Sequence, residues 1–181
     1  MKNQKEFNWT FRRILIPAGT LLLTGIFLLF SSVTSAQKVN FSGTWTYNET
    51  KSVLGGEGGP RGAAVKMTIK QDGKNMSIEK TTRRQSGEEN IYTENYTLDG
   101  KECENTTFGD RVKKSTASWS DDKKSLTILS KMVFERDGQQ MEINTTEIFT
   151  LSSDKKNLSI DYTSISSRGE RKNTFVYDKA E

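Results

Sequence analysis

Hydrophobic and polar residues alternate along most of the chain after residue 40. In the stretch 65–69, for example, Val65, Met67 and Ile69 fall on one side and polar residues on the other. Successive side chains of a β-strand point to opposite faces, so a period of two predicts half-buried strands rather than helices. The pattern predicts about ten strands, over 41–48, 64–71, 75–84, 89–98, 101–107, 111–120, 124–135, 140–151, 156–166 and 171–179.

Short turn signals separate these strands, among them the Asp-Gly pairs at 72–73, 99–100 and 137–138. Asp-Gly tolerates the positive φ of tight hairpins, so the strands form an antiparallel meander. An open meander exposes two sheet edges, and closure removes them. The predicted fold is therefore all-β: an antiparallel up-and-down β-barrel of about eight to ten strands. Its first strand should pair with its last, and its interior should have room for a small ligand.

The glycine-rich segment 51–64, "KSVLGGEGGPRGAA", interrupts the alternation. It lacks the Gly-Lys-Ser/Thr of a phosphate-binding P-loop, and no helix pattern follows it. We expect it to be a long mobile loop between the first two strands.

The first 36 residues have the organisation of a secretory signal peptide. A basic start precedes the apolar run 14–30, and Thr34 and Ala36 supply small residues before a cleavage site. We therefore predict a signal peptide over 1–36 and one barrel domain over 37–181. The expected protein is exported, bacterial in type, periplasmic or extracellular, and without a membrane span after cleavage. The alternative is an uncleaved anchor, because the run is about the shortest that crosses a bilayer.

The net charge is lower for the chain without residues 1–36. The whole chain has a formal net charge of +4. Residues 1–36 contain four basic residues and one acidic residue, so the remainder is close to +1. With no nucleic-acid-binding motif, this balance argues against a nucleic-acid partner. Cys103 is the single cysteine, so no internal disulfide is expected, and we expect a monomer.

The sequence favours a binding protein over an enzyme. It contains no histidine, which excludes Ser-His-Asp and Cys-His arrangements and zinc sites built from His and Cys. The carboxylate pairs Glu88–Glu89 and Asp121–Asp122 fall in predicted turns, where solvated charges are the usual case. We therefore expect no enzyme activity, no cofactor and no metal. An enzyme that uses the barrel mouth stays as an alternative.

The stretch 40–52, "NFSGTWTYNETKS", opens the folded part with Gly43 and Trp45 of a Gly-x-Trp motif, and the last strand ends in "FVYDK". This combination resembles the calycin superfamily, which includes the lipocalins and the fatty-acid-binding proteins. It is most similar to lipocalin-like domains of exported bacterial proteins. The resemblance implies a barrel that binds small apolar molecules. It also implies structural roles: Gly43 permits a close bend, and Trp45 closes one end of the barrel.

Three departures from the family change what the resemblance implies. Fatty-acid-binding proteins have a helical lid between their first two strands, where this chain has the segment 51–64. They also hold a carboxylate with an Arg-x-Tyr pair, whereas here Tyr177 matches the Tyr and Phe175 replaces the Arg. Lipocalins stack an arginine over the motif tryptophan, and Lys179 is the substitute here. The family's carboxylate clamp is therefore not expected in this chain.

The predicted function is binding of a small hydrophobic or amphipathic molecule inside an exported, lipocalin-like barrel. Candidate anion anchors are Arg83, Arg84 and Arg111, if any of them points inward, and Arg83 and Arg84 must face opposite sides of their strand. The alternative function is a non-enzymatic envelope or secreted interaction scaffold with a filled barrel, whose surface or glycine-rich segment contacts a protein. The candidate ligand-binding residues are Tyr92, Tyr96, Trp119, Phe134, Phe149, Tyr162, Phe175 and Tyr177.

Overall fold

The computed structural model describes residues 37–56, 59–60, 62–84, 86–107, 110–136 and 138–181. The predicted signal peptide lies outside these residues. The strands are β1 Gly43–Tyr47, β2 Val53–Leu54, β3 Lys66–Gln71, β4 Asn75–Arg83, β5 Glu89–Thr97, β6 Glu102–Thr107, β7 Arg111–Trp119, β8 Ser125–Arg136, β9 Gln139–Leu151, β10 Asn157–Ser166 and β11 Gly169–Lys179. Within the described ranges, no helix has the length and apolar character needed to cross a membrane.

The strands form one antiparallel sheet in the order β5-β4-β3-β1-β11-β10-β9-β8-β7-β6. The first strand β1 pairs with the last strand β11, with Tyr47 opposite Tyr177. This pairing curls the meander into a barrel, so the predicted antiparallel up-and-down barrel is confirmed. Complete closure is not observed, because β5 and β6 form the two ends of the paired order.

One side chain bridges the gap between β5 and β6. The Oδ1 of Asn105 accepts a hydrogen bond from the backbone N–H of Asn95 at 2.6 Å, and its Nδ2 donates to the Asn95 carbonyl at 3.0 Å. The Asn105 side chain is buried. A side-chain amide has the same donor and acceptor as a peptide group, so Asn105 replaces one rung of backbone pairing at this seam.

Trp45 lies completely buried at one end of the barrel, which we call the packed end. Its indole Nε1 donates to the carbonyl of Phe41 at 2.9 Å, and the Phe41 ring stacks on Trp119 with centroids 5.9 Å apart. The Nζ of Lys179 lies 5.6 Å from the centre of the Trp45 ring. Gly43 has a φ of 145°, and a Cβ there would lie 3.2 Å from the Cε of Lys179. Glycine at 43 therefore lets the chain pass beneath the lysine.

The inward faces of the strands change in burial from one end of the barrel to the other. Ile78, Leu126 and Phe149 are fully buried at the packed end. Further along β8 and β9, Met132 and Ile143 face inward but are only half-buried. The interior is therefore a dense apolar core at one end and an open mouth at the other.

The described residues of the segment 51–64, which are 51–56, 59–60 and 62–64, include several that contact the barrel strands, and we call them the crossing segment. Its Val53 and Leu54 form β2, which pairs with Thr174 and Asn173 of β11. The prediction of a loop without secondary structure is wrong for these two residues. Because β1 pairs with β11 only at 177–179, β2 can occupy the same edge of β11 further along that strand.

Two glycines allow the crossing segment to approach the barrel closely. The backbone N–H of Gly55 donates to Asn173 Oδ1 at 3.0 Å, and a Cβ on Gly55 would lie 2.0 Å from the carbonyl oxygen of Lys172. Gly62, with a φ of 100°, lies against the ring of Tyr162, where a Cβ would be 2.9 Å from Cζ. The same segment packs Leu54, Ala63 and Ala64 against the core.

Replacing Asn105 with alanine should loosen the β5–β6 seam. The change removes both hydrogen bonds between the Asn105 side chain and the Asn95 backbone, which at about 0.5–1.5 kcal/mol each costs about 1–3 kcal/mol of unfolding free energy. Urea unfolding measures this loss, and amide hydrogen exchange should become faster at Asn95. The matched control is Asn144→Ala on β9, where the side chain is exposed. Equal stability of the two variants would contradict a bridging role for Asn105.

Candidate functional site

Five polar side chains meet in the middle of the barrel, and together they form what we call the ionic network: Lys80, Glu94, Tyr96, Lys113 and Glu147. They come from β4, β5, β7 and β9, which are not all neighbours in the sheet. Lys80 of β4 and Glu147 of β9 can touch only across the interior. Each residue occupies a position whose alternation points it inward.

Glu94 is the centre of the ionic network. Its Oε2 lies 2.8 Å from Lys80 Nζ and accepts the hydroxyl of Tyr96 at 2.7 Å. Its Oε1 pairs with the Nζ of Lys113, which also donates to the Tyr96 hydroxyl at 3.3 Å. Glu147 contacts the network through one oxygen, 3.3 Å from Lys80 Nζ. Lys80 and Lys113 thus both pair with Glu94, and Lys80 also makes a longer contact with Glu147.

Glu94 and Lys80 keep their charges despite burial. Burial by itself raises the pKa of Glu94, which is 1% exposed, but the charges of Lys80 and Lys113 outweigh burial and lower it to about 2. Burial likewise disfavours the charged form of Lys80, and the carboxylates of Glu147 and Glu94 overcome this and raise its pKa well above the ordinary value of 10.5. Both groups therefore stay ionised across the neutral range.

A cavity of about 260 Å³ lies between the ionic network and the open end of the barrel, and we call it the mouth cavity. Lys80, Glu94, Lys113 and Glu147 are the members of the ionic network that line it, and Gly62 of the crossing segment also borders it. Its remaining lining residues are Tyr92, Thr107, Arg111, Met132, Ile143, Thr145, Tyr162 and Ser164. A second hollow of about 270 Å³ adjoins it and shares Gly62, Ile143, Tyr162 and Ser164.

The structure separates the predicted ligand-binding residues into groups. Tyr92 and Tyr162 line the mouth cavity. Tyr96 is buried and belongs to the ionic network through its hydroxyl. The ring of Phe134 lies beneath the guanidinium of Arg111, with 4.0 Å from Cζ to the ring centre.

The other four predicted residues lie away from the mouth cavity, in packed surroundings. Trp119 stacks on Phe41, and Phe149 meets the same ring edge-on with centroids 6.0 Å apart. Phe175 packs against Tyr162, and the hydroxyl of Tyr177 accepts the backbone N–H of Ala64 in the crossing segment at 3.2 Å. None of these four borders the mouth cavity as its described residues define it.

The four charged members of the network, Lys80, Glu94, Lys113 and Glu147, were not among the predicted site residues. A signal for them was present, because Lys80 continues the inward series Met76 and Ile78, and Glu94 stands between the inward Tyr92 and Tyr96. A charge at an inward position of an alternating strand indicates a buried pair or a binding site. The partner of each charge could not be found this way, since the pairs join strands that are far apart in sequence.

Comparison with solved structures finds a similar barrel in the crystal structure of zebrafish ileal bile acid-binding protein complexed with cholic acid. The TM-score is 0.50 and the sequence identity 18%, over 77% of this chain and 98% of that chain. The chain has the calycin fold. No family model matches the sequence, and no curated protein matches it. The resemblance stated from Gly43, Trp45 and the meander is therefore confirmed at the level of the fold.

Replacing Glu94 with glutamine should destabilise the calycin barrel strongly. The change leaves Lys80 and Lys113 buried with Glu147 as their remaining carboxylate in the network. Breaking a buried ion pair costs about 3–5 kcal/mol, so urea unfolding at pH 7 should show a loss of this size. The matched control is Glu104→Gln, which removes an exposed carboxylate 3.1 Å from Lys114 and should cost less than about 1 kcal/mol.

The stability contributed by Glu94 should depend on pH in a defined window. Its pKa is lower in the folded chain than the ordinary 4.5, so its contribution is complete above about pH 4.5 and is lost as pH falls towards about 2. The difference in unfolding free energy between wild type and Glu94→Gln should therefore shrink over this range. A difference that stays constant from pH 7 to pH 2.5 would show that the Glu94 carboxylate does not hold the network.

Replacing Gly55 with alanine should detach the crossing segment from β11, because the added Cβ would collide with the Lys172 carbonyl. Amide hydrogen exchange at Val53, Leu54 and position 55 should become faster, with exchange in the barrel strands unchanged. Gly73→Ala is the control, since a Cβ there meets no atom within 4 Å. Unchanged exchange in Gly55→Ala would show that the segment does not depend on this close approach.

Proposed function

We propose that this chain is a binding protein that holds a small amphipathic molecule in the mouth cavity of its barrel. The observation that carries the proposal is the division of the interior. The packed end is filled by side chains such as Trp45, Phe149 and Leu126, which are fully buried. The mouth end leaves about 260 Å³ open between the ionic network and the crossing segment.

The lining of the mouth cavity indicates a ligand with both apolar and polar parts. Met132, Ile143 and the rings of Tyr92 and Tyr162 supply apolar surface on its walls. The ionic network and Thr145 supply hydrogen-bonding groups on the same cavity. A purely apolar ligand would exclude water from these polar groups without adding a hydrogen bond to them, which costs free energy. An amphipathic ligand can satisfy both kinds of surface.

The size and cover of the cavity agree with a small ligand. Its volume lies just below the 300–1,000 Å³ that is common for ligand pockets. The crossing segment occupies the place where fatty-acid-binding proteins carry a helical lid, and Gly62 borders the cavity there. The fold supports the same conclusion, because the similar solved barrel is a bile acid-binding protein complexed with cholic acid.

We further propose that the protein binds without catalysis and acts outside the cytoplasm. The charged groups of the network are engaged with one another, and the chain has no histidine to serve as a proton-transfer group. The signal-peptide pattern of residues 1–36 supports export. These features suit a carrier or scavenger of small molecules better than an enzyme.

Replacing Thr145 with tryptophan should fill the mouth cavity and abolish binding. The probes are the single-ring amphiphiles 3-phenylpropionate and 3-phenyl-1-propanol, followed by amide chemical shifts in NMR titrations. In the wild type, shifts should concentrate at residues that line the cavity. The control Thr146→Trp adds the same ring on the opposite face of β9 and should bind like the wild type.

Two results would oppose this proposal. One is the absence of saturable shifts with either probe in the wild type. The other is equal binding by Thr145→Trp and Thr146→Trp, which would place the ligand outside the barrel. Thermal unfolding of both variants shows whether each has kept its fold before the titrations are compared.

A further inference from the structure

We infer that the ligand is a compact organic anion, and that Arg111 binds its acidic group at the mouth of the barrel. This inference rests on the proposed function and specifies the ligand class of the same site. It assigns the anion to β7, not to the last strand, where Phe175 replaces the arginine of the clamp known in fatty-acid-binding proteins.

Arg111 differs from the other cations of the mouth cavity in its contacts. It is the first residue of β7, and its guanidinium lies over the Phe134 ring, with 4.0 Å from Cζ to the ring centre. Lys80 and Lys113 pair with Glu94. Among the residues that the structure describes, no carboxylate pairs with Arg111. Its charge therefore has no internal counterion on the described part of the barrel.

The guanidinium of Arg111, in contact with the Phe134 ring, is suited to bind an anion. Arginine presents five N–H donors in a planar fork, which matches the two oxygens of a carboxylate or related acid. Phe134 provides a cation–π contact to this guanidinium, 4.0 Å from Cζ to the ring centre, and no carboxylate among the described residues pairs with its N–H donors. Because the ring restricts the side chain, less conformational entropy is lost when a ligand binds. Arg111 therefore supplies hydrogen-bond donors for the acidic group of a ligand and holds them in a restricted position.

The charge of the surrounding surface agrees with an anionic ligand. The mouth cavity and the adjoining hollow are lined by five basic residues, Lys80, Arg111, Lys113, Arg168 and Arg171. Their acidic lining residues are three, Glu94, Glu147 and Glu170, which leaves a net charge of +2. Glu170 is further neutralised by Lys172, 3.1 Å away. A concave surface with an excess of one sign concentrates ligands of the opposite sign.

The cavity volume sets the size of the anion. A cavity of about 150 Å³ holds one benzene molecule, so about 260 Å³ holds on the order of ten non-hydrogen atoms by the same ratio. A single-ring organic acid fits this volume, whereas a steroid acid does not. The ring would lie between Tyr92 and Tyr162 with the acidic group towards Arg111.

The test compares 3-phenylpropionate with its neutral counterpart 3-phenyl-1-propanol on the full barrel domain by isothermal titration calorimetry. The wild type should bind the acid about tenfold to hundredfold more tightly than the alcohol, as a charged hydrogen-bonded pair provides. In Arg111→Gln, affinity for the acid should fall by about the same factor and affinity for the alcohol should hardly change. Arg111→Lys should recover part of the preference, because the charge returns without the fork.

Two controls separate a specific contact from net charge and size. Arg83→Gln removes the same charge from an exposed residue of β4 paired with Glu89, and it should keep the full preference for the acid. The larger anion cholate should bind more weakly than 3-phenylpropionate. Equal affinity for acid and alcohol in the wild type overturns this inference and leaves the proposed function standing. A preference that survives Arg111→Gln, or tighter binding of cholate, also overturns it, whereas absence of binding by both single-ring probes contradicts the proposed function itself.

Discussion

The carboxylate of Glu94 is the interaction on which the interior of this barrel depends. Both of its oxygens are engaged, with Lys80 and Tyr96 on one side and Lys113 on the other. A buried carboxylate of this kind is tolerated only when its partners stay in place. The positions of β4, β5 and β7 around it are therefore fixed by polar contacts as well as by the apolar core. Such contacts restrict the geometry more narrowly than hydrophobic packing, because they require specific atoms at specific distances.

The ionic network also divides the barrel into two parts with different tasks. On one side, Trp45 and the fully buried apolar residues supply most of the hydrophobic stabilisation. On the other side, the interior is less densely packed, and the lining of the mouth cavity includes arginine, tyrosine and threonine. Apolar packing and the proposed ligand contacts thus lie at opposite ends of one continuous sheet. Under the proposed function, substitutions at mouth residues outside the ionic network, such as Thr145, should change ligand preference with little effect on the apolar core.

Much of the fold could be predicted because alternation is a local property of the sequence. Every second residue of β8, from Leu126 to Ser130, is buried, as the period of two requires. The pairing of β1 with β11 followed from the cost of an exposed edge. The pairing of Val53 and Leu54 with β11 could not be foreseen, because two residues are too few to show a period. The seam at Asn105 was equally hidden, since polar side chains at inward positions do not reveal their partners. The ligand-binding prediction relied on aromatic residues, and most of the charged lining was therefore missed.

The seam between β5 and β6 has a mechanical consequence for the barrel. Elsewhere around the sheet, neighbouring strands are joined by rows of backbone hydrogen bonds, which must break together if the strands separate. At the seam, the Asn105 side chain provides the join, and a side chain can change rotamer without disturbing the strand that carries it. The ion pair of Glu94 on β5 with Lys113 on β7 also spans this seam. Separating the strands at the seam therefore requires a new Asn105 rotamer and the separation of a buried ion pair, so the width of the barrel is coupled to the charge state of its interior.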